Sequence, residues 1–387
     1  MIKKNSCRRT SHAVSEASAS KKFHRIGIAE SCAPALVAWY RSSRRALPWR
    51  DATDPYAILV SEIMLQQTRV ETVIPYYKRF LEAFPDVETL AAAPLEAVLV
   101  RWSGLGYYAR ARRLHQAARE IVARGAFPRT EADLRALPGI GPYTAGAIAS
   151  IAFGEPVPAV DGNVERVIAR LLDLDSDPRH GAARRRVREA AALLLDRKAP
   201  GDSNQAMMEL GATLCRPSRP LCPACPLRDD CAGRSSGRAE ELPVRAPRRR
   251  GVRERRVVAV VRRQGRFLLV RNPESSALLA GLWEFPWTPR SRRRAEWEAS
   301  LGTAYGGMWR VGVRRGMARH GITFRALELE IHDAEVRFDG TVVAESAQRG
   351  EPGWLAPDEI AAVPTTSMVR KVLACLTGPA SSSTERR

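Results

Sequence analysis

Apolar residues in the first half of the chain recur at helical spacing, with short breaks between the periodic stretches, from about Ser31 to Leu214. Strand-like alternation is scarce in this region. Asp54 and Pro55 supply an N-cap and a first-turn proline for one of the predicted helices. The pattern predicts helices at residues 56–68, 75–84, 95–102, 109–124, 130–137, 143–153, 163–172 and 182–195.

Beyond about residue 253 the periodicity changes from helical to alternating. Residues 257–261 and 266–270 are strand-like and flank Gln264-Gly265, a pattern that predicts a β-hairpin. Residues 322–331 alternate as a half-buried strand does, and residues 357–362 can form a short helix. This part of the chain is therefore expected to form an α+β domain.

Composition divides the 387 residues into five predicted segments, and each of the two domains is long enough to bury a core. No stretch approaches the roughly 18 apolar residues of a membrane span, and the N-terminus lacks the apolar region of a secretory signal. The segments are a disordered tail at 1–30, a helical domain at 31–233, a linker at 234–253, an α+β domain at 254–375 and a polar tail at 376–387.

Positive charge predominates, with 62 Lys and Arg against 42 Asp and Glu, for a formal net charge of +20. Such an excess favours a polyanionic partner, most simply nucleic acid. Only seven of the 62 cations are Lys, however, so part of the charge can also reflect a coding bias towards Arg. Charge alone leaves both explanations open.

Four of the seven cysteines fall within 17 residues: Cys215, Cys222, Cys225 and Cys231. Thiolates at this spacing, C-x6-C-x2-C-x5-C, are ligands for zinc or for an iron–sulfur cluster. A structural zinc site usually uses two short Cys pairs, whereas this segment has one, which favours a single cluster wrapped by one loop. Zinc and unliganded thiols remain the alternatives, while the odd number of cysteines argues against a disulfide framework.

Residues 137–143, Leu-Pro-Gly-Ile-Gly-Pro-Tyr, lie between two predicted helices. Gly139 and Gly141 permit a tight turn and the close approach of another backbone. The helix that starts at Pro142 exposes its first amides, which attract a phosphate. We therefore expect this segment to contact a DNA backbone, with an ordinary helix connection as the alternative.

Two carboxylates are candidates for acid–base chemistry. Glu62 lies within a helix that is apolar on most faces, so we expect partial desolvation and a raised pKa, which suits a general acid. The alternative, which is favoured for this residue taken in isolation, is a carboxylate at the polar edge of the helix. Asp161 directly precedes a helix and by itself is typical of an N-cap. One such carboxyl can protonate a leaving group while the other stabilises a cation, as in glycosidic bond cleavage.

Together these residues resemble the adenine DNA glycosylase (MutY) family of the helix-hairpin-helix glycosylase superfamily, over roughly residues 36–375. The C-terminal part resembles the Nudix-like domain of that family. The segments that carry the resemblance are Leu-Pro-Trp-Arg at 47–50, Ser-Glu-Ile-Met-Leu-Gln-Gln-Thr at 61–68, Gly-Leu-Gly-Tyr-Tyr at 104–108, residues 137–143, Val-Asp-Gly-Asn-Val at 160–164, the Cys quartet and Leu-Leu-Ala-Gly-Leu-Trp-Glu-Phe-Pro at 278–286.

The resemblance implies a multidomain fold, with an all-α glycosylase domain of two lobes that carries a [4Fe–4S] cluster and an α+β Nudix-like domain after it. It implies excision of adenine opposite 8-oxoguanine or guanine in duplex DNA, with the adenine flipped out of the stack. We expect a monomer in the bacterial cytoplasm, associated with the nucleoid during repair and without a membrane partner.

The resemblance also assigns the site residues. Glu62 would protonate the departing adenine, Asp161 would stabilise the sugar cation, and Asn163 would position the reacting groups. The residues that would line the adenine pocket are Trp49, Arg50 and Gln205. Those that would fill or probe the duplex beside 8-oxoguanine are Gln67, Thr68, Leu105 and Tyr107. For each of these the alternative is packing or solvated surface.

Tyr143 stands at the catalytic position where related lyase-active glycosylases carry a Lys. No Lys occurs between Lys78 and Lys198, which favours hydrolysis over strand cleavage through a Schiff base. In the C-terminal domain His320 matches the histidine of a Phe-Ser-His or Phe-Thr-His motif of the family, which places it among the substrate-binding residues. Ala318 and Arg319 replace the expected Phe and the Ser or Thr whose hydroxyl reads 8-oxoguanine. A Glu-rich Nudix box is absent between Gly281 and Gly321, so we expect a binding module.

Two competing functions remain at this stage. One is a thymine-glycol-type glycosylase and lyase, which the Tyr at position 143 and the C-terminal domain oppose. The other is a catalytically silent DNA-binding protein with a structural metal, which the presence of both Glu62 and Asp161 opposes.

Overall fold

The computed structural model describes residues 31–246, 251–276, 279–322, 324–338 and 350–377. The predicted N-terminal tail, and the C-terminal tail from residue 378 on, lie outside these ranges. The described residues form two compact units. One contains residues 31–91 and 113–246, and the other contains Ala92–Arg112 and the described residues beyond 250. This division differs from the predicted one, in which residues 92–112 belonged to the helical domain.

Residues 31–246 are helical, as the periodicity predicts, and the strands lie later in the chain. A single 3-10 turn, Cys222–Ala224, interrupts the cysteine segment. The helices are α1 Cys32–Ser43, α2 Pro55–Leu65, α3 Val70–Ala83, α4 Val87–Ala92, α5 Leu95–Trp102, α6 Ala109–Arg124, α7 Glu131–Arg135, α8 Pro142–Phe153, α9 Gly162–Leu171, α10 Gly181–Leu193, α11 Pro200–Thr213 and α12 Ala232–Ser235.

Most predicted helices agree with the structure to within two residues, and two boundaries are wrong. The helix predicted at 56–68 ends at Leu65, because Gln67 adopts a left-handed backbone with φ of 57°. The helix predicted from residue 75 begins at Val70, so Pro75 lies inside it. Pro75 is the sixth residue of this helix and so lies in its second turn.

One core cluster of the first unit forms where α1, α9, α10 and α11 meet. Leu36, Ile168, Val187 and Leu210 are among its fully buried residues. Helix α9 is strongly amphipathic and turns its apolar face towards this core. Cys215, Cys225 and Cys231 pack against the same cluster, so the cysteine segment is attached directly to the core.

Arg170 on α9 is a fully buried cation that ties the cysteine segment to the helices. Its Nη1 donates to the carbonyl of Arg216 at 2.6 Å and to Cys215 Sγ at 3.3 Å. Its Nη2 donates to the carbonyl of Pro217 at 3.2 Å, and its Nε donates to the carbonyl of Leu242 at 3.0 Å. One side chain therefore fixes both ends of the segment from residue 215 to residue 242.

Both ends of the span 234–253, which the sequence predicts to be a linker, contain ordered structure. Its first residues complete α12, and Leu242 is 2% exposed. Strand β1 already begins at Val252. The richness in Arg, Pro and Ser concealed this packing, because the two buried apolar residues Ala239 and Leu242 are too few to produce a periodic pattern.

The C-terminal part is α+β, as predicted. Its strands form a seven-stranded mixed sheet of order β3-β2-β1-β6-β5, with β4 paired to β1 and β7 paired to β2. The elements are β1 Val252–Arg263, β2 Arg266–Arg271, β3 Trp283–Glu284, β4 Trp287–Pro289, α13 Arg294–Tyr305, β5 Met308–Ile322, β6 Arg325–Arg337, β7 Glu351–Leu355, α14 Pro357–Ala362 and α15 Ser367–Thr377.

Strand β1 is the centre of this sheet and is buried on both faces. Val257 and Ala259 face a core that includes residues of α13, whereas Val258 and Val260 face a core that includes residues of α14 and α15. Strand β1 runs parallel to β6. A strand covered by helices on both sides reads as a continuous apolar run, which is the pattern of residues 257–261.

The predicted hairpin around Gln264 and Gly265 is confirmed, and both residues have positive φ, as a tight two-residue turn requires. The single strand predicted at 322–331 is wrong, because Ile322 ends β5 and Arg325 begins β6. The sequence between Ile322 and Arg325 contains no Gly, Pro or Asn that would predict a break between two strands. No described helix combines the length and apolar character needed to cross a membrane.

Replacing Arg170 with Leu should lower the free energy of unfolding by more than about 3 kcal/mol, because several buried carbonyl groups lose a charged donor. Arg185→Leu, at an exposed position of α10, should change it by less than about 0.5 kcal/mol. Urea denaturation of the full chain, followed by the helical circular dichroism signal, measures both. Equal stabilities of the two variants would contradict the anchoring role.

Candidate active site

A cavity of about 490 Å³ lies within the first unit, between α2, α8, the start of α9 and α11. The structure brings nine of the predicted site residues to this one cavity, although they are spread over more than 150 positions of sequence. They are Trp49, Arg50, Glu62, Gln67, Thr68, Tyr143, Asp161, Asn163 and Gln205.

Glu62 enters the cavity from a helix that is buried along nearly its whole length. Asp54 caps this helix as predicted, accepting from the backbone amides of Tyr56 and Ala57. Glu62 is 6% exposed, and its Oε2 has no hydrogen-bond partner. Burial raises the pKa of Glu62 to about 7, and the negative charge of Asp161 adds to the rise. A hydrogen bond with the Tyr143 hydroxyl and the positive charge of Arg50 oppose it. The predicted desolvation of this carboxyl is confirmed.

Asp161 is the N-cap of α9, as predicted, and also lines the cavity. Its Oδ1 accepts from the amides of Asn163 at 2.9 Å and Val164 at 2.8 Å, and its Oδ2 accepts from Asn163 Nδ2 at 2.8 Å. Burial raises the pKa of Asp161, whereas these three donors and the charge of Arg166 oppose the rise. The capping bonds thus support the ionised carboxylate inside the protein.

The two carboxyl groups therefore occupy different environments within reach of each other's charge. Glu62 has a bare oxygen in an apolar helix, which favours its protonated form. Asp161 has three N–H donors, which favour its ionised form. Such a pair can divide acid and anion roles, because the two environments push their protonation states apart.

Tyr143 lies in the first turn of α8 and lines the same cavity. Its hydroxyl donates to Met208 Sδ at 3.0 Å and lies close enough to Glu62 to affect that residue's pKa. Burial raises the pKa of Tyr143 well above its usual value, with further contributions from the charges of Glu62 and Asp161. The phenol therefore stays protonated, and none of the described residues that line the cavity is a lysine.

One buried residue of the site was missed by the sequence reasoning. Glu209 is fully buried and accepts from Arg45 Nε at 2.7 Å, from Arg45 Nη2 at 3.0 Å and from Arg50 Nη2. Burial alone would raise the pKa of Glu209, but the hydrogen bond from Arg45 and the charges of Arg50 and Arg45 lower it overall. Glu209 is therefore a fixed anion that holds Arg50.

Arg50 is placed by more than this ion pair. Its Nη1 donates to Gln205 Oε1 at 2.9 Å, and its guanidinium lies over the Tyr40 ring at 5.4 Å. Gln205 and Glu209 are four residues apart, so they share one face of α11. A polar pair at this spacing in a mostly buried helix is the signal that could have identified Glu209. Trp49 is buried and contacts the edge of Tyr77.

The loop after α2 supplies the predicted Gln67 and Thr68. Gln67 is exposed, and Thr68 Oγ1 donates to the carbonyl of Gln66 at 3.4 Å. Gln66, which was not predicted, donates through Nε2 to Thr144 Oγ1 at 3.3 Å and so connects this loop to α8. The loop therefore presents its polar side chains at the rim of the cavity.

The predicted glycine turn lies between α7 and α8. Gly139 has φ of 76°, and a Cβ at this position would lie 2.6 Å from Arg113 Cβ. Both the backbone conformation and the packing therefore require glycine. Gly141 is the N-cap of α8, whose first turn begins with Pro142. The amides of such a helix terminus lack internal acceptors, so this terminus remains a predicted phosphate contact.

The four cysteines predicted as ligands line a second cavity of the first unit, together with apolar residues that include Val167 and Leu210. No group of three or more His, Cys, Asp or Glu side chains that could hold a metal ion is found among the described residues. The four cysteines thus border one shared space, as the ligands of a metal centre must, and thiolates are ligands for both zinc and iron–sulfur clusters. The N–H of Arg170 that reaches Cys215 Sγ suits an anionic sulfur ligand.

Three further predicted residues belong to the second unit. Leu105 is buried, whereas Tyr107 is 44% exposed. His320 lies on β5, with its Nε2 3.3 Å from the Oγ of Ser367, a contact that the sequence did not predict. Burial lowers the pKa of His320, as do the charges of Lys371 and Arg256.

Arg319 does not share the surroundings of its neighbour His320. Side chains alternate along a strand, so these two residues point to opposite faces of the sheet. Arg319 is exposed, whereas Ala318, two residues before His320, packs against the core that includes α15. The position where the family carries a hydroxyl residue is therefore occupied here by a solvated guanidinium.

Two family models match this chain. Residues 60–192 match the HhH-GPD superfamily of base excision DNA repair proteins, and residues 256–375 match the NUDIX domain. The thermostable thymine-DNA glycosylase of known structure is 27% identical, with a TM-score of 0.49 over 57% of this chain and 99% of its own.

Curated relatives extend the similarity over about two thirds of the chain. The human adenine DNA glycosylase is 40% identical over 313 residues, which cover 66% of this chain and 57% of that protein. The Schizosaccharomyces pombe adenine DNA glycosylase is 36% identical over 312 residues, which cover 65% of this chain and 68% of that protein.

The chain spans between 46% and 59% of the length of the human, rat and Arabidopsis thaliana relatives. Over two thirds of the fission yeast protein, however, the identity exceeds 30%. The similarity includes a helical base-excision domain followed by a Nudix-like domain, in the order seen in the structure. By these matches, the chain belongs to the adenine DNA glycosylase family.

Proposed function

We propose that this protein is a monofunctional DNA glycosylase that hydrolyses the N-glycosidic bond of adenine opposite 8-oxoguanine or guanine in duplex DNA. The observation that carries the proposal is the cavity in which a protonatable Glu62 faces a hydrogen-bonded Asp161. Membership of the adenine DNA glycosylase family supports it, and so does the net charge of +20.

A base inside a duplex cannot reach a buried carboxyl, so the adenine must be flipped out of the stack into the cavity. Arg50 and Gln205 would hydrogen-bond the base, and Trp49 would supply an apolar wall. Glu209 fixes Arg50, so the recognition groups are positioned before the base arrives.

In the reaction the bond between C1′ of the sugar and the adenine nitrogen breaks, and both bonding electrons leave with the base. The protonated Glu62 gives its proton to the adenine, which departs neutral. The sugar develops positive charge, which the Asp161 carboxylate stabilises. Water then adds to C1′ and loses a proton to the Glu62 carboxylate, so the products are free adenine and an abasic sugar.

Asn163 and Tyr143 would hold the two carboxyls in position. Asn163 contributes two of the three donors to Asp161. The Tyr143 hydroxyl lies between Met208 and Glu62, where it can stabilise the Glu62 carboxylate after proton transfer. Neither residue is required to exchange a proton with the substrate in this scheme.

We further propose that Cys215, Cys222, Cys225 and Cys231 hold a [4Fe–4S] cluster. When bound, such a cluster would supply charge and rigidity to the loop, and it takes no part in the hydrolysis.

Exposed Arg216, Arg219 and Arg228 in the same segment would then contact DNA phosphates. Lesion reading would fall to Tyr107, Leu105 and His320 together with Gln67 and Thr68.

Adenine release from a duplex with 8-oxoguanine opposite adenine tests this proposal directly. We expect release of free adenine, strand breaks only after hot alkali, and no protein–DNA adduct with borohydride, because Tyr143 cannot form a Schiff base. Tyr143→Lys should make such trapping appear. Efficient trapping by the wild-type protein would show that another amine acts as a nucleophile.

Glu62→Gln keeps the shape of the side chain but removes the transferable proton, so excision should fall on the order of 10²–10⁴-fold while binding survives. Asp161→Asn should do the same by removing the negative charge. Because the acid must be protonated, wild-type kcat/KM should decline as the pH rises through about 7. Single-turnover rates across pH measure this, with the exposed Glu82→Gln as control. Wild-type turnover in either active-site variant would refute its role.

The purified protein should be brown, with broad visible absorption and equal amounts of iron and acid-labile sulfide. Cys225→Ser should abolish the colour, because it removes one of the four ligands. Cys375→Ser, a substitution outside the quartet, should leave the colour unchanged. A colourless, active protein that contains one zinc ion would disprove the cluster.

A further inference from the structure

The loop between α5 and α6, residues 103–108, belongs to the second unit and holds an unusual backbone. Gly104, Gly106 and Tyr107 have φ angles of 98°, 80° and 50°. Positive φ at a non-glycine residue costs free energy and persists only where the surroundings enforce it. Tyr107, which has one of these angles, carries a side chain that is 44% exposed. An exposed aromatic ring on a fixed loop can stack on or wedge between bases.

The buried Tyr108 hydroxyl fixes the base of this loop. It donates to the carbonyl of Thr365 at 2.8 Å and accepts from the amide of Gly104 at 3.1 Å. The Oγ of Ser103 lies 3.3 Å from the same Thr365 carbonyl. One phenolic oxygen therefore connects the start of the loop, the end of the loop and a distant segment of the second unit.

A second set of contacts holds the same segment. Arg112 Nη2 donates to the carbonyl of Ala280 at 2.7 Å and pairs with Glu274 at 3.2 Å. Within the loop, Arg110 Nη2 donates to the carbonyl of Gly106 at 3.1 Å. The loop conformation is thus fixed from both sides by hydrogen bonds to backbone carbonyl groups.

Thr365 is itself held by the sheet. The amide of Trp283 on β3 donates to the carbonyl of Pro364 at 2.9 Å, and the amide of Thr366 donates back to the carbonyl of Trp283 at 3.0 Å. Thr365 and Thr366 are both buried. Residues 364–366 therefore form a rigid extension of the sheet.

The residue that follows this extension reaches the predicted lesion-reading histidine. Ser367 begins α15, and its Oγ lies 3.3 Å from His320 Nε2. Residues 365–367, Thr-Thr-Ser, which we name the strap, thus contact the loop that carries Tyr107 through Tyr108 and contact His320 through Ser367. The two contacts are only two residues apart in sequence.

We propose that the strap couples the Tyr107 loop to His320, so that both contact the lesion side of the duplex in one fixed geometry, and that Tyr108 is a positioning residue for lesion specificity. This inference rests on the proposed function. Tyr108 is buried and acts through Thr365 and Gly104. Loss of its hydroxyl frees the loop without removing any group that would contact DNA.

The test compares Tyr108→Phe with Tyr56→Phe in the full-length protein. Tyr56 is a matched control, because its buried hydroxyl also donates to a backbone carbonyl at 2.8 Å, that of Phe84, but within the first unit. Single-turnover rates of adenine release are measured on duplexes with 8-oxoguanine or guanine opposite adenine. General destabilisation lowers both rates together. The ratio of the 8-oxoguanine rate to the guanine rate therefore reports the positioning of the lesion-reading residues.

Tyr108→Phe should lower the ratio of the 8-oxoguanine rate to the guanine rate by at least about fivefold, because it removes both hydrogen bonds of the hydroxyl and one such bond is worth about that factor. Tyr56→Phe should leave the ratio unchanged. An unchanged ratio for Tyr108→Phe, with wild-type adenine release intact, overturns the positioning role and leaves the proposed function standing. Absence of adenine release by the wild-type protein overturns both.

A double substitution tests the coupling itself. If the strap joins the two reading elements, Tyr108→Phe should have much less effect on the ratio when His320 is already replaced with Ala. The combined effect would then be smaller than the product of the single effects. Effects that simply multiply would show that the loop and His320 act independently, which overturns the strap.

Discussion

Burial of the Glu62 carboxyl within an apolar helix is the constraint on which the rest of the site depends. A carboxyl group placed there is costly to ionise, and the nearby charge of Asp161 raises that cost further. The protein tolerates the arrangement because Asp161 receives three N–H donors that Glu62 lacks. The N-cap of α9 thus has two effects, since the bonds that begin the helix also sustain the anion beside a protonated acid.

Fixed charges also surround the two carboxyl groups, on Arg50 and Glu209. Arg50 brings a positive charge into the cavity, where it opposes the rise in the pKa of Glu62 that burial causes. Fully buried Glu209 holds Arg50 and also binds Arg45, so the site contains charges of both signs in fixed places. Removing Glu209 would leave a buried cation without its partner. The pocket is therefore an electrostatic unit in which the recognition groups and the acid depend on one another.

Local chemistry explains only part of what was predicted of this site, because the pocket residues Trp49, Arg50 and Gln205 were assigned through the family resemblance. The cap at Asp54, the apolar surroundings of Glu62 and the turn at Gly139 each depend on residues within a few positions of one another. Tertiary contacts explain the misses. Glu209 and Ser367 act through partners more than 40 positions away, and Leu242 packs within a segment that composition marks as a linker. No periodic pattern records a contact of that kind.

The boundary between the two units shows this limit most clearly. Helical periodicity continues from α4 through α6, so nothing local indicates that Ala92–Arg112 belongs with the sheet. Among the contacts that hold this segment to the second unit are hydrogen bonds to the main-chain carbonyl groups of Thr365 and Ala280, whose side chains play no part in them. Since a carbonyl group is present at every residue, the sequence carries no mark of the acceptor. Only the donors Tyr108 and Arg112 are visible in the sequence, and each is also compatible with an ordinary helix surface.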